Sequence, residues 1–126
     1  MSSDCFGQYA ATAARKAKEV QDLVGEIHDY LARRRDALLA AGLPLESICL
    51  DPGIGFGKLP DEDMALIAGT GRLAAAGHPV LIGASRKSFI GKLTGVASAG
   101  ERVSGSIAAA LAGIAQGVQI VRVHDV

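Results

Sequence analysis

From Val20 the apolar residues Val20, Leu23, Val24, Ile27, Leu31 and Leu38 recur at helical spacing, and Gly42 followed by Pro44 stops that helix. Ser47–Leu50 is short, β-compatible and bounded by turn signals, which predicts a strand ending at Asp51. A second helix is expected from Asp61, which can cap it, to Gly77, before His78-Pro79. Val80–Ala84 ("VLIGA") reads as a second buried strand, with a short helix starting near Ser85. A longer helix spans Glu101–Gln116, closed by Gly117, and Val118–Val123 ("VQIVRV") is a third strand. Residues 1–10 carry little pattern and are expected to be a disordered or atypical end.

Helix–strand order repeated three times, without a hairpin signal, predicts right-handed crossovers and a parallel sheet. Composition agrees. Of 126 residues 49% are hydrophobic, 16 are glycine and only 4% aromatic, as in α/β proteins with small residues at helix–sheet contacts. Thirteen basic residues cancel thirteen acidic ones, so no global field favours nucleic acid or an anionic membrane. Arg33-Arg34-Arg35 reads as a solvated helix face. Cys5 and Cys49 make neither a disulfide framework nor a metal spacing. The longest small-apolar run, Ile107–Ala115, is too short to span a bilayer, and no signal-peptide layout opens the chain. A cytoplasmic protein without membrane or nucleic-acid partners is the expectation.

The expected strands put every polar cluster at a carboxyl end, the edge where parallel α/β folds place their sites. "DPGIGFGK" (51–58) follows the first strand. It fails the P-loop pattern at Pro52 and Leu59, and the dinucleotide pattern at Lys58. Asp51 could cap its own loop through the N–H groups of Gly53 and Gly55, or grip a planar ligand edge bearing two N–H donors. Phe56 is either packing or an apolar pocket wall. "SRKS" (85–88) offers Ser85 and Ser88 as hydroxyl donors and Arg86 and Lys87 as charges at a helix start, fitting either an anion or an ordinary N-cap. Arg122 and His124, two apart in a strand, face the same space, either as an anion site or as an ion-pair network. Polar residues on one strand face only favour a (β/α)₈ barrel over an open sheet.

Together, "DPGIGFGK" (51–58), "GASRKSFIG" (83–91), "ERVSGSIAAA" (101–110) and "RVHDV" (122–126) resemble dihydropteroate synthase, in order from about Val20 to the last residue. The resemblance implies a (β/α)₈ barrel that joins 6-hydroxymethyl-7,8-dihydropterin pyrophosphate to p-aminobenzoate, giving 7,8-dihydropteroate and pyrophosphate. It implies that Asp51, Lys87 and Arg122 bind pterin. Phe56, Ser85 and Ser88 would meet p-aminobenzoate, and Arg122 and His124 pyrophosphate. Lys87, Arg122 and His124 would be the catalytic groups. It further implies Mg²⁺, with no metal ligand in this segment, a homodimer for the full-length enzyme, and competition by sulfonamides. Residues 1–126 then form one partial domain, the last three strands of the barrel with their helices. The family's earlier Asn and Asp ligands have no counterpart here. The alternatives are a pterin-binding methyltransferase-type barrel and a catalytically inactive half-barrel.

Overall fold

The computed structural model describes residues 5–126. Helix α1 covers Cys5–Ala40. Residues 5–10 are therefore helical rather than disordered, and residues 1–4 of the expected irregular end lie outside the described residues. Propensity explains the extension. Ala10, Ala11, Ala13, Ala14 and Ala17 alternate with Arg15, Lys16 and Lys18, all good helix formers. Lys18 also pairs with Asp22 one turn on, at 2.7 Å. The buried stripe begins inside the apolar period, at Val24, after the half-buried Val20 and Leu23.

The remaining elements are α2 (Pro60–Ala68), α3 (Thr70–Ala74), β1 (Leu81–Ile82), α4 (Ser88–Thr94), α5 (Val103–Ala115) and β2 (Ile120–Val121). Single 3₁₀ turns lie at Leu45–Ser47 and Ala99–Glu101. β1 and β2 pair in parallel, Leu81 opposite Ile120 and Ile82 opposite Val121. The expected strand Ser47–Leu50 is reduced to one parallel bridge between Leu50 and Val80. The sheet is thus parallel as expected, but its strands are much shorter. Among the described residues only the Val80–Ile82 segment has partners on both sides. Leu81 N–H donates to Leu50 O at 2.8 Å, while Ile120 N–H and Arg122 N–H donate to Val80 O and Ile82 O at 3.2 and 3.0 Å.

Two helix boundaries also differ from expectation. The helix expected over Asp61–Gly77 breaks at Gly69, which ends α2. There α1 comes close: a Cβ on Gly69 would lie 3.3 Å from His28 Cε1 and 3.4 Å from Val24 Cγ1. Thr70, fully buried, turns its hydroxyl onto Ile67 O at 2.7 Å. The short helix expected at Ser85 starts three residues later, at Ser88.

The core has two parts. Val24, Ile54, Leu66, Ile67, Ala84, Phe89 and Ile90 join α1, α2 and α4 beneath the glycine loop. Ile48, Leu50, Leu73, Val80, Ile82 and Val118 cover the sheet. Along α5, Ile107, Leu111 and Ile114 are exposed by half or more. No helix among the described residues is long and apolar enough to cross a membrane.

His28 is buried between α1 and the Gly69 break, and neither ring nitrogen meets a protein partner. Burial, followed by the charge of Arg72, pushes its pKa below the ordinary histidine value, with Asp29 opposing in part. The unfolded chain then takes up a proton below about pH 6.5 that the folded chain refuses. Stability should therefore fall as pH drops below about 6.5. Denaturant midpoints across that range should show a flatter dependence in His28→Gln; an unchanged slope would remove His28 as its source.

Candidate ligand-binding site

The loop after Leu50 is built by its glycines. Gly53, Gly55 and Gly57 have φ of 77°, 84° and 63°, a region that side-chain-bearing residues avoid. At Gly55 there is also no space, since a Cβ would sit 2.5 Å from Lys87 Cδ. Asp51 Oδ1 accepts the Gly53 N–H at 2.9 Å. The Gly55 N–H, which Asp51 was expected to share, goes instead to Asp63 Oδ1 at 2.7 Å. Asp63 belongs to α2 and is almost fully buried, so it acts as the loop's internal acceptor. Lys58 closes the loop by donating to Gly53 O and Phe56 O at 2.7 and 2.9 Å.

Lys87 crosses this loop. Its ammonium donates to Ile54 O and lies 4.4 Å from the centre of the Phe56 ring. Partial burial, and then the nearby Arg122, hold its pKa below the ordinary lysine value, opposed by Asp51 and Asp63. Arg122 Nη2 is 3.9 Å from Asp51 Oδ2. Its guanidinium lies on Gly83, where a Cβ would approach Nη2 to 2.6 Å. Arg122 is exposed here, so in this chain its guanidinium stays in contact with water.

Ser85 is buried and joined to His124. Its Oγ accepts the His124 N–H at 3.1 Å and lies 2.9 Å from His124 Nδ1. This pairing replaces the helix-start role expected for Ser85, since the N-cap of α4 is Lys87. Gly83, Ser85, Lys87, Arg122, Val123 and His124 line an open cleft of about 280 Å³. Asp51 borders it through Arg122, and Phe56 stands on the rim at 65% exposure. Ser88, exposed on the first turn of α4, does not line the cleft. A separate cavity of about 140 Å³ lies between α1 and α3, beside His28, Arg72 and His78. Asp51, Lys87, Arg122 and His124 thus gather at one sheet edge, whereas Phe56 and Ser88 flank it.

A protein-family model described as pterin binding enzyme matches residues 5–124. The chain belongs to the pterin-binding enzyme family. It is 55% identical over 109 residues to a dihydropteroate synthase of Neisseria meningitidis serogroup B, covering 84% of this chain and 38% of that relative. The Xanthomonas albilineans dihydropteroate synthase solved with 7,8-dihydropteroate superposes with a TM-score of 0.80 at 44% identity, covering 83% of this chain and 40% of that one. The Thermus thermophilus enzyme in complex with 6HMPPP gives 0.77 at 45% identity, covering 82% and 41%. The chain therefore spans about two fifths of the length of these relatives.

Sequence reasoning singled out neither Asp63 nor, within the motifs "ERVSGSIAAA" and "RVHDV", a separate role for Arg102, Ser106 or Asp125. Asp125 forms an ion pair with Arg86 next to His124. Asp63 is one of three acids in the first turn of α2, and the fold brings it under Gly55. Replacing Asp63 with Ala should orphan that N–H, at a cost of about 1–3 kcal/mol. Limited trypsin digestion should then cut after Lys58 faster than in the parent chain; unchanged cleavage and an unchanged unfolding midpoint would contradict the loop-holding role.

Proposed function

We propose that this chain is the carboxyl-terminal portion of a dihydropteroate synthase, supplying the last three strands of a (β/α)₈ barrel and part of its pterin and pyrophosphate site. The observation that carries the reading is the convergence of Asp51, Lys87, Arg122 and His124 at the carboxyl ends of three parallel strand segments. The likeness to a synthase solved with 7,8-dihydropteroate supports it. In this reading Asp51 accepts N–H groups of the pterin's amino-pyrimidine edge through the oxygen not taken by Gly53. Lys87 spends one ammonium hydrogen on Ile54 O and has two left for the ring's carbonyl and nitrogen side. Arg122 stacks on the pterin and, with His124, meets the pyrophosphate.

The reaction asks mainly for orientation and anion stabilisation. The bond from the methylene carbon to the pyrophosphate oxygen breaks, and the positive charge spreads into the dihydropterin. The neutral amine of p-aminobenzoate then forms the new C–N bond and loses a proton to water. Phe56 walls the benzoate, Ser88 adds a donor at the rim, and Ser85 receives the carboxylate. Ser85 has one hydroxyl hydrogen. It is free for the carboxylate only if His124 Nδ1 carries its own proton and donates to Oγ. Mg²⁺ would stabilise the leaving pyrophosphate, but no three His, Cys, Asp or Glu side chains come together as a metal-ligand set among the described residues.

Three strand segments cannot close a barrel. The 126-residue chain alone should show little or no pyrophosphate release with both substrates, and adding the remaining barrel segment of a synthase should restore it. In the restored assembly Arg122→Ala and Lys87→Ala should each lower turnover about a hundredfold, the worth of one well-placed donor. Arg34→Ala, on the exposed face of α1, should change little. Substantial turnover by the isolated chain, or wild-type rates in both site variants, would refute the proposal.

A further inference from the structure

The turn that carries Ser85 and Lys87 holds a backbone conformation that its sequence disfavours. Arg86 has φ of 60°, the one positive-φ residue other than glycine among those described. Such a conformation costs roughly 1–2 kcal/mol unless the surroundings impose it. Here both backbone polar groups of Arg86 are gripped from the start of α5. Its N–H donates to Ser106 Oγ at 2.8 Å, and its carbonyl accepts from Arg102 Nη1 at 2.9 Å. Ser106 is buried and donates its own hydroxyl to Arg102 O at 2.8 Å.

Arg102 is itself fixed. Its Nε and Nη2 donate to Val96 O and Ala97 O at 2.9 and 2.7 Å. The guanidinium lies on the bare backbone of Gly91 in α4, where a Cβ would approach Nη2 to 2.6 Å. Arg102 therefore ties α4, the segment before α5 and the Arg86 turn into one unit, and neither Arg102 nor Ser106 lines the cleft. On the far side of the turn stand Ser85, bonded to His124, and Lys87, bonded to Ile54 O.

We propose that Arg102 and Ser106 are positioning residues that lock the 85–87 turn in its left-handed form, so that Ser85, Lys87 and His124 present one ligand edge. The proposal rests on reading those three as ligand groups, yet its main readout needs no ligand. With the turn locked, Ser85 Oγ stays against His124 Nδ1 and selects one imidazole tautomer. With the turn released, that contact is lost and the ring samples both tautomers.

The test is a double-mutant cycle on the 126-residue chain, read by the ring-nitrogen chemical shifts of His124, with thermal unfolding recorded alongside. Ser106→Ala and Arg102→Ala should each move the His124 signals toward the tautomer-averaged position. In the Arg86→Gly background, where glycine adopts positive φ without help, the displacement caused by Ser106→Ala should shrink by about half or more. Affinity for inorganic pyrophosphate should fall about tenfold in Ser106→Ala, as expected for one lost buried hydrogen bond. Folded variants with unmoved His124 signals, or an equal Ser106→Ala effect in both backgrounds, would overturn the proposal. Should Arg102→Ala fail to fold, Ser106→Ala, which removes one hydroxyl and leaves the guanidinium in place, decides the matter. If the parent chain binds no pyrophosphate while His124 responds as described, the positioning role stands and the ligand reading fails.

Discussion

Parallel pairing of three very short strand segments is the constraint on which the rest depends. Because Leu50 bridges Val80, and Leu81-Ile82 pair with Ile120-Val121 in the same direction, the chain leaves all three segments at one edge. Asp51, Lys87, Arg122 and His124 come from positions up to 73 residues apart, and this pairing brings their segments to one edge. The helices complete it from behind. Leu73, Val80, Ile82 and Val118 bury the sheet, so a slip in register would move Arg122 away from Asp51.

At that edge charge is arranged with little slack. Partial burial and then the nearby Arg122 depress the Lys87 pKa, and Asp51 and Asp63 oppose the shift without reversing it. Two cations held near one another favour an anionic or electron-rich partner. The structure meets the cost of holding them by giving Lys87 a carbonyl and an aromatic face, and by laying Arg122 on a glycine. Each arrangement requires a missing side chain, at Gly55 or at Gly83. The glycines of this chain thus serve the site as much as the turns.

The parallel order, the long amphipathic stretch of α1 and the gathering of polar clusters at strand ends were legible in the sequence, because period and turn signals are local. What was not legible depends on contacts made across the fold. The start of α1 at Cys5 lies in an alanine-rich stretch without an apolar stripe, visible to propensity but not to periodicity. The break at Gly69 is set by α1 packing against it, and the late start of α4 by the left-handed Arg86. Ser85 reads as a helix cap in sequence and proves to be the partner of His124, 39 residues away. Asp63 carries no motif, and the motif that holds Arg102 names no role for it, since both satisfy backbone groups that only the folded loops orphan.

Amide chemical-shift mapping of this chain during titration with 6-hydroxymethyl-7,8-dihydropterin tests directly whether this sheet edge holds a pterin. Perturbations should concentrate at residues 51–58, 83–87 and 122–124, with the amides of α1 unmoved. Perturbations clustered instead around His28, Arg72 and His78, in the cavity between α1 and α3, or spread evenly over the chain, would contradict it.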